Sequence, residues 1–256
     1  GSWVVVCHFM GTVLLIAASA LAGWIDAVIG GGGLVLIPVL MGATSMPAAS
    51  VLATNKVAAV TGTASAAFTM VRRVGVPRFT WLFAFLAGVA SALGARAISL
   101  IDDSLIRPVI IILLLAVGVF VALNPRFGTG GNQILTPRRI FLGALLAAAV
   151  GFYDGIFGPG TGMFLIMGFT AVFSQVFLQS AAMAKVVNTA TNLGALTVFG
   201  LSGFINWPLA LMLAAANVVG AQLGARTVLK GGSKLIRYAL LILVVVLCTR
   251  LLLQDQ

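Results

Sequence analysis

The sequence predicts an all-α integral membrane protein made of two inverted-topology repeats, each with about five helical segments. Of its 256 residues, 61% are hydrophobic and 8% are charged, whereas a soluble domain carries about 25% charged residues. Apolar stretches of about twenty residues, long enough to cross a bilayer as a helix, recur along the whole chain. They lack the alternation of barrel strands, so helices are the spanning class that fits.

Two glycine-rich breaks interrupt the apolar segments at equivalent places in the two halves. Asp26 and Asp154 are separated by half the length of the chain, and each is followed after three residues by helix breakers, at 30–33 and 158–162. Glycine inside a helix costs about 1 kcal/mol relative to alanine, and proline about 3 kcal/mol. We therefore expect the backbone to turn at both breaks.

Shorter motifs repeat with nearly the same offset. Residues 93–96 and 223–226 both read Leu-Gly-Ala-Arg, and residues 105–107 and 235–237 both read Leu-Ile-Arg. The two pairs share one offset, which is close to the separation of the aspartates. A nearly constant offset across unlike segments indicates internal duplication.

The first half contains five apolar segments with recognisable ends. The third is closed by Arg72 and Arg73, and the fourth by Asp102 and Asp103. The second is a short arm of about 12 Å, which favours a re-entrant arm rather than a full crossing. The segments are 4–29, 34–41, 48–71, 79–100 and 105–123.

The second half repeats this pattern after a polar link. We assign residues 1–123 to the first repeat, 124–137 to the linker and 138–256 to the second repeat. The second-half segments are 138–157, 163–178, 180–201, 207–229 and 235–253.

Charge predicts that the repeats are inverted. The link after the third segment is basic in the first half, but its counterpart at 203–208 is uncharged. The next link is balanced in the first half and basic in the second. Because Lys and Arg collect on the cytoplasmic side, equivalent loops face opposite sides of the membrane. The residues concerned are Arg72, Arg73 and Arg78; then Arg96, Asp102, Asp103 and Arg107; then Arg226, Lys230, Lys234 and Arg237, with Arg126, Arg138 and Arg139 in the central link.

Inversion requires an odd number of crossings in each half. Three uninterrupted helices supply three, so each broken segment must return to the side it entered, as a hairpin. We expect 8–10 transmembrane helices, one of them broken or hairpin-shaped in each repeat, with both termini outside. The same charge rule accounts for most of the net charge of +10, so no nucleic-acid partner is expected.

The glycine turns are candidate anion sites. A turn at membrane depth leaves backbone groups unpaired, so it must face protein or water. The second arm begins at the turn, and a helix N-terminus presents free N–H groups that bind anions. The alternative is a close-packing device between helices. The candidate residues are Gly31, Gly32 and Gly33 in the first turn, and Gly160 and Thr161 in the second.

Two lysines occupy equivalent places within apolar helices, at nearly the same offset as the aspartates. Lys56 follows Asn55, which joins the candidate set, and Lys185 lies in the second half. A buried cation costs at least about 2.5–3.5 kcal/mol on insertion scales. The alternative is snorkelling to a nearby headgroup, but the symmetric placement favours a role in attracting an anion.

Two asparagines share a helix face with Lys185. Asn188 and Asn192 follow it at i+3 and i+7, a spacing that places all three on one side. Their neutral amides could donate to substrate oxygens. Bonding to neighbouring helices is the alternative.

Asp26 and Asp154 are the only acidic residues far from any loop. Each could pair with a lysine or cap the turn, or carry a proton because burial disfavours its charge. The sequence shows no nucleophile triad, metal-ligand cluster or phosphate loop, so we expect neither an enzyme nor a cofactor.

These motifs resemble the sulfite exporter TauE/SafE family, also called the toluene sulfonate uptake permease family. The likeness covers essentially the whole chain, and the second-half block is its more specific part. One departure is Ile156, where an aromatic residue is frequent. The residues that carry the resemblance are 30–38, 53–56, 151–155, 157–162, 184–188 and 191–196.

The resemblance implies secondary transport of small organosulfur anions, such as sulfite, sulfoacetate or other sulfonates, across the bacterial inner membrane. It does not fix the substrate, and some relatives import. We expect proton-coupled export by alternating access, with Asp26 or Asp154 as the proton-linked group. The alternatives are a passive anion channel, and an intramembrane enzyme that uses the two aspartates as an acid–base or metal pair.

Overall fold

The computed structural model describes residues 2–97, 123, 128 and 133–253, and the secondary structure in that part of the chain is helical. The all-helical prediction is therefore confirmed. The predicted segment 105–123, apart from its last residue, and most of the linker lie outside the described residues. The helices are α1 (Ser2–Ile29), α2 (Gly33–Ala43), α3 (Ala48–Val74), α4 (Phe79–Ala97), α5 (Pro137–Ile156), α6 (Thr161–Phe173), α7 (Phe177–Leu201) and α8 (Trp207–Leu253).

Local sequence explains several helix ends. The Thr136 side chain accepts a hydrogen bond from the Arg139 backbone N–H at 3.2 Å, and Pro137 occupies the first turn of α5. A threonine cap satisfies a free N–H group, and proline at this position loses no helical bond. Helix α3 closes at Gly75, whose φ of 76° lies in the left-handed region.

One boundary differs from the predicted one by several residues. The second-half arm ends at Phe173 rather than 178, because Ser174 adopts a left-handed conformation with φ of 53°. The predicted segments 207–229 and 235–253 correspond to the two helical parts of α8. This element is kinked at Gly232, where φ is 59° and ψ is −156°.

Four helices in the described part of the chain are long and apolar enough to cross a membrane: Gly11–Ile29, Phe79–Ala97, Pro137–Ile156 and Trp207–Ile236. The 27 residues of α3 and the 25 of α7 also exceed the length of a span. Their lower hydropathy follows from buried polar residues, which other helices surround. At 11 and 13 residues, α2 and α6 reach only about 17 and 20 Å, short of the roughly 30 Å hydrocarbon core.

Helices of the first half of the chain pack mainly against helices of the second half. Helices α1 and α3 pack against α8, while α4 packs against α5 and α7, and α3 contacts α7 at the centre. A Cβ atom at Gly224 of α8 would lie 2.6 Å from the Trp24 carbonyl oxygen of α1, and one at Gly94 of α4 would overlap the Phe152 carbonyl oxygen of α5. These contacts are related by the repeat offset, so the same close glycine packing occurs twice.

Candidate functional site

The two glycine turns touch each other. A Cβ atom at Gly162 would lie 2.5 Å from the Gly30 Cα atom, and one at Gly30 would overlap the Gly162 backbone. Gly30 and Gly158, which have the same separation in sequence as the two aspartates, both have left-handed backbones, with φ of 78° and 89°. The predicted breaks thus form one junction at which both hairpins meet.

This junction yields a direct test of the turn geometry. We expect Gly30→Ala to destabilise the protein by about 2–4 kcal/mol, because the side chain strains a left-handed residue and overpacks the Gly162 backbone. The matched control is Gly42→Ala, since a Cβ there meets nothing within 4 Å. Thermal unfolding of purified protein in detergent measures both variants. Equal stability of the two would contradict the contact.

Each lysine pairs with the aspartate of the other half. Lys56 Nζ lies 2.8 Å from Asp154 Oδ2 and donates to the Asp154 carbonyl oxygen at 3.1 Å. Lys185 Nζ lies 3.1 Å from Asp26 Oδ2 and also donates to the Asp26 carbonyl oxygen. Both carbonyls belong to the last turn of a broken helix, where a cation is favoured by the helix dipole.

The pairs are buried to different degrees. The side chains of Lys56 and Lys185 are 3% and 0% exposed, which does not fit snorkelling to a headgroup. The Asp154 side chain is 2% exposed, whereas that of Asp26 is 16% exposed. Buried charges require partners, and each pair here supplies one charge of each sign.

The carboxylates also differ in their remaining contacts. Thr161 Oγ1 lies 2.8 Å from Asp154 Oδ1, so both carboxylate oxygens of Asp154 have partners. The equivalent position in the first half is Gly33, which has no side chain. The Asp26 carboxylate consequently has one hydrogen-bond partner in the described part of the chain, Lys185 at Oδ2.

Asn192 joins the first ion pair. Its Oδ1 atom accepts a hydrogen bond from Lys56 Nζ at 3.1 Å, and its Nδ2 atom donates to the Asn188 carbonyl oxygen at 2.8 Å. Asn192 thus links α7 to α3. The shared face of Lys185, Asn188 and Asn192 points into the protein, because all three are buried.

Asn55 and Asn188 keep unused donors. Their side chains are almost fully buried, at 6% and 3% exposure. No hydrogen bond from either Nδ2 atom to another described residue is present. The Asn55 Nδ2 atom lies 3.9 Å from the place that a Cβ of Gly33 would occupy, beside the first turn. The Asn55 amide is therefore a free donor close to the first turn, and the Asn188 amide is a free donor about one helical turn from Lys185.

The remaining glycines of the candidate set shape the backbone. At Gly32, a Cβ atom would lie 2.7 Å from the Ala22 carbonyl oxygen, so no side chain fits. Gly160 caps the start of α6 with a left-handed φ of 80°, and Gly31 is buried in the first turn. Both helices start at the junction, where the Leu34 and Val35 N–H groups donate to the carbonyl oxygens of Gly31 and Gly32, and the Thr161 N–H group donates to that of Gly158. No backbone partner among the described residues is present for the N–H groups of Gly33, Gly162 and Met163.

The sequence did not predict the contact between Tyr153 and the second glycine turn. The tyrosine hydroxyl donates to the Pro159 carbonyl oxygen at 2.6 Å and so braces the second turn. The only signal in the sequence is a tyrosine six residues before the proline. Among the described residues, no group of three or more His, Cys, Asp or Glu side chains could hold a metal ion.

Comparison with known proteins finds similarity over most of the chain. Residues 15–251 match the family described as "Sulfite exporter TauE/SafE". A "Probable membrane transporter protein" of Haemophilus influenzae is 36% identical over 225 residues, which are 88% of each chain. "Probable membrane transporter protein YfcA" of Escherichia coli K12 is 34% identical over 243 residues, 93% of this chain and 88% of the relative. "Probable membrane transporter protein ORF9" of a Sinorhizobium species is 32% identical over 239 residues, 93% and 91% of the two chains. No solved structure matches significantly.

Proposed function

Because the chain belongs to the sulfite exporter TauE/SafE family of membrane transporters, we propose that it exports small organosulfur anions across the bacterial inner membrane as a proton-coupled secondary transporter. Sulfite, sulfoacetate and related sulfonates form the substrate class. Family membership places the protein among multi-pass membrane transporters and not among enzymes. The observation that carries the proposal is the pair of crossed, buried lysine–aspartate contacts at the junction of the turns.

The lysines supply the positive charge for the anion. Each is already neutralised by one carboxylate, so an entering sulfonate or sulfite competes with that carboxylate for the same ammonium group. The amides of Asn55 and Asn188, and the backbone N–H groups that have no partner at the starts of α2 and α6, would donate to its other oxygens. A tetrahedral sulfonate presents three acceptor oxygens, which suits donors arriving from several directions.

Competition at the lysine links the anion to a proton. A carboxylate that loses its cation inside the protein favours its protonated form. The bound anion and the bound proton therefore stabilise one another and are carried together. Net export then runs when the outward gradient of a monovalent anion outweighs the inward pH gradient.

Asp26 is the better placed of the two aspartates for this role. Its side chain is more exposed than that of Asp154, and it lacks a hydroxyl partner equivalent to Thr161. Asp154 is held on both oxygens and serves mainly to fix Lys56. In this proposal Asp26 takes up the proton, while Asp154 stays ionised and keeps its ion pair with Lys56.

Asp26→Asn is expected to separate binding from coupling. The variant keeps Lys185 and removes its competing carboxylate, so anion exchange at equal pH should persist while stimulation by a pH gradient is lost. Substrate exchange and net flux in proteoliposomes measure the two properties. Gly33→Thr is the complementary variant, since a hydroxyl there would hold Asp26 as Thr161 holds Asp154 and should slow coupled flux. Normal pH stimulation in Asp26→Asn would shift the proton role to Asp154.

The packing of the two halves against each other supports a mechanism of alternating access. We place residues 1–123 and 138–256 in two inverted repeats whose hairpins form the central site. The basic links after α3 and within α8 face the cytoplasm, and both termini lie outside. Both ion pairs cross between the repeats, so their breakage on anion binding frees one repeat to move against the other.

Proteoliposome flux tests the function and its alternative. Vesicles that contain purified protein and an imposed pH gradient are expected to accumulate sulfite or sulfoacetate above the concentration outside. A passive anion channel of the same substrate class would only equilibrate the anion. No flux of any organosulfur anion would contradict the substrate class.

A further inference from the structure

An apolar groove lies outside the central site, on the surface where α3, α4 and α7 meet. Its cavity measures about 400 Å³. Phe68 and Trp81, on its rim, are each 59% exposed. The lining includes Ala64, Phe68 and Arg72 of α3, Trp81 of α4, and Val186 and Thr189 of α7.

The groove has a charged end. Ala64, Phe68 and Arg72 are spaced by four residues, so they form one stripe of about 12 Å along α3. The Arg72 guanidinium carbon lies 4.1 Å from the centroid of the Phe68 ring, a cation–π contact that holds it beside the apolar part. Arg73 follows in the last turn of α3 and Arg78 in the link before α4, and none of the three forms an ion pair within the described part of the chain.

We propose that this groove binds an anionic phospholipid, with an acyl chain in the apolar part and the phosphate on Arg72. Arginine matches phosphate with paired hydrogen bonds. The amphipathic Trp81 ring suits the headgroup level of a bilayer. In the proposed orientation the groove opens to the cytoplasmic leaflet, which carries anionic lipids.

Charge distinguishes a phospholipid from a second copy of the chain. A second copy would have to bring an acidic side chain to the three arginines. The chain has only five acidic residues, and Asp26 and Asp154 are engaged in buried ion pairs. The charge pattern predicts the other three, Asp102, Asp103 and Asp255, on the side of the membrane opposite to Arg72. A phospholipid supplies both the negative charge and the apolar chain.

The groove adjoins the central site through α7. Val186 and Thr189 lie next to Lys185 and Asn188 in the sequence, and Thr189 Oγ1 donates to the Lys185 carbonyl oxygen at 2.7 Å. A lipid in the groove therefore packs on the helical turn that carries the site. The resulting expectation, that anionic lipid raises flux, rests on the proposed function, whereas the binding itself uses only the proposed orientation in the membrane.

Native mass spectrometry of the purified full chain tests the binding, with equal amounts of phosphatidylglycerol and phosphatidylcholine as probes. The wild type should retain one phosphatidylglycerol in preference to phosphatidylcholine. Arg72→Gln should reduce that preference about fivefold, the equivalent of one basic residue at the surface, and Arg72→Lys should keep most of it. Ala64 is exposed on the groove wall, so the larger side chain of Ala64→Phe should occupy the groove and remove the bound lipid. Arg226→Gln, which changes an exposed arginine outside the groove, should have no effect.

Three results would overturn the proposal. They are equal retention of the two lipids by the wild type, retention that neither Arg72→Gln nor Ala64→Phe changes, and a lipid-free dimer with the groove at its interface. Helical content and elution volume identify variants that fail to fold, and Arg72→Lys then decides the role of the charge. A variant that loses the lipid preference but keeps normal anion flux would contradict only the link to transport. A wild-type protein that keeps the lipid preference but carries no organosulfur anion would contradict only the proposed function.

Discussion

Lys185→Ala is expected to reduce organosulfur anion flux by about 30-fold or more. Lys185 is fully buried at the junction and supplies the ammonium group that the anion must reach. Loss of one partner of a buried, hydrogen-bonded charge pair costs at least about 2 kcal/mol of binding free energy. Lys56→Ala should have a comparable effect, because Lys56 occupies the place in the first repeat that Lys185 occupies in the second. Initial rates of sulfite or sulfoacetate flux in proteoliposomes measure both variants.

The control for the lysine variants is Lys230→Ala. Lys230 is exposed on α8, outside the junction, so its removal changes the net charge by the same amount without touching the site. Flux close to that of the wild type is expected. Unaltered flux in both Lys56→Ala and Lys185→Ala would remove the lysines from the mechanism, and equal losses in all three variants would indicate a general effect of charge.

The second large effect concerns stability. Lys56→Met is expected to lower the free energy of unfolding by about 3–5 kcal/mol, because it leaves the Asp154 carboxylate buried without a cation. Lys56→Met combined with Asp154→Asn should recover most of this loss, since no uncompensated charge remains. The double variant should nevertheless stay inactive in transport. Unfolding in detergent, followed by helical circular dichroism, gives the comparison.

The other ion pair provides an internal control for stability. Lys185→Met should cost less than Lys56→Met, because the Asp26 side chain is 16% exposed and water can solvate its charge. If the single and double Lys56 variants are equally unstable, the loss comes from packing around the methionine rather than from the unpaired carboxylate.

Much of the fold could be predicted because it depends on local composition. The glycine runs at 30–33 and 158–162 mark both turns, since clustered glycine and proline disfavour a continuous helix. The apolar segments predict the helices to within a few residues. The exception is the end of α6, where nothing in the local sequence distinguishes the left-handed Ser174 from an ordinary helical serine.

The pairing within the site could not be predicted, because it depends on how distant segments dock. The sequence places Asp26, Asp154, Lys56 and Lys185 at equivalent positions, yet it does not tell whether each lysine reaches the aspartate of its own half or of the other. The observed partners are 98 and 159 residues apart. Helical spacing likewise predicts the shared face of the α7 asparagines, but not the contact of Asn192 with Lys56 from α3.

A structure determined with bound sulfite or sulfoacetate tests the central claim most directly. We predict anion density at the junction of the glycine turns, within hydrogen-bonding distance of Lys185 Nζ or Lys56 Nζ, with the partner aspartate moved away from that lysine. Anion density elsewhere in the protein, with both lysine–aspartate pairs intact, would contradict the account.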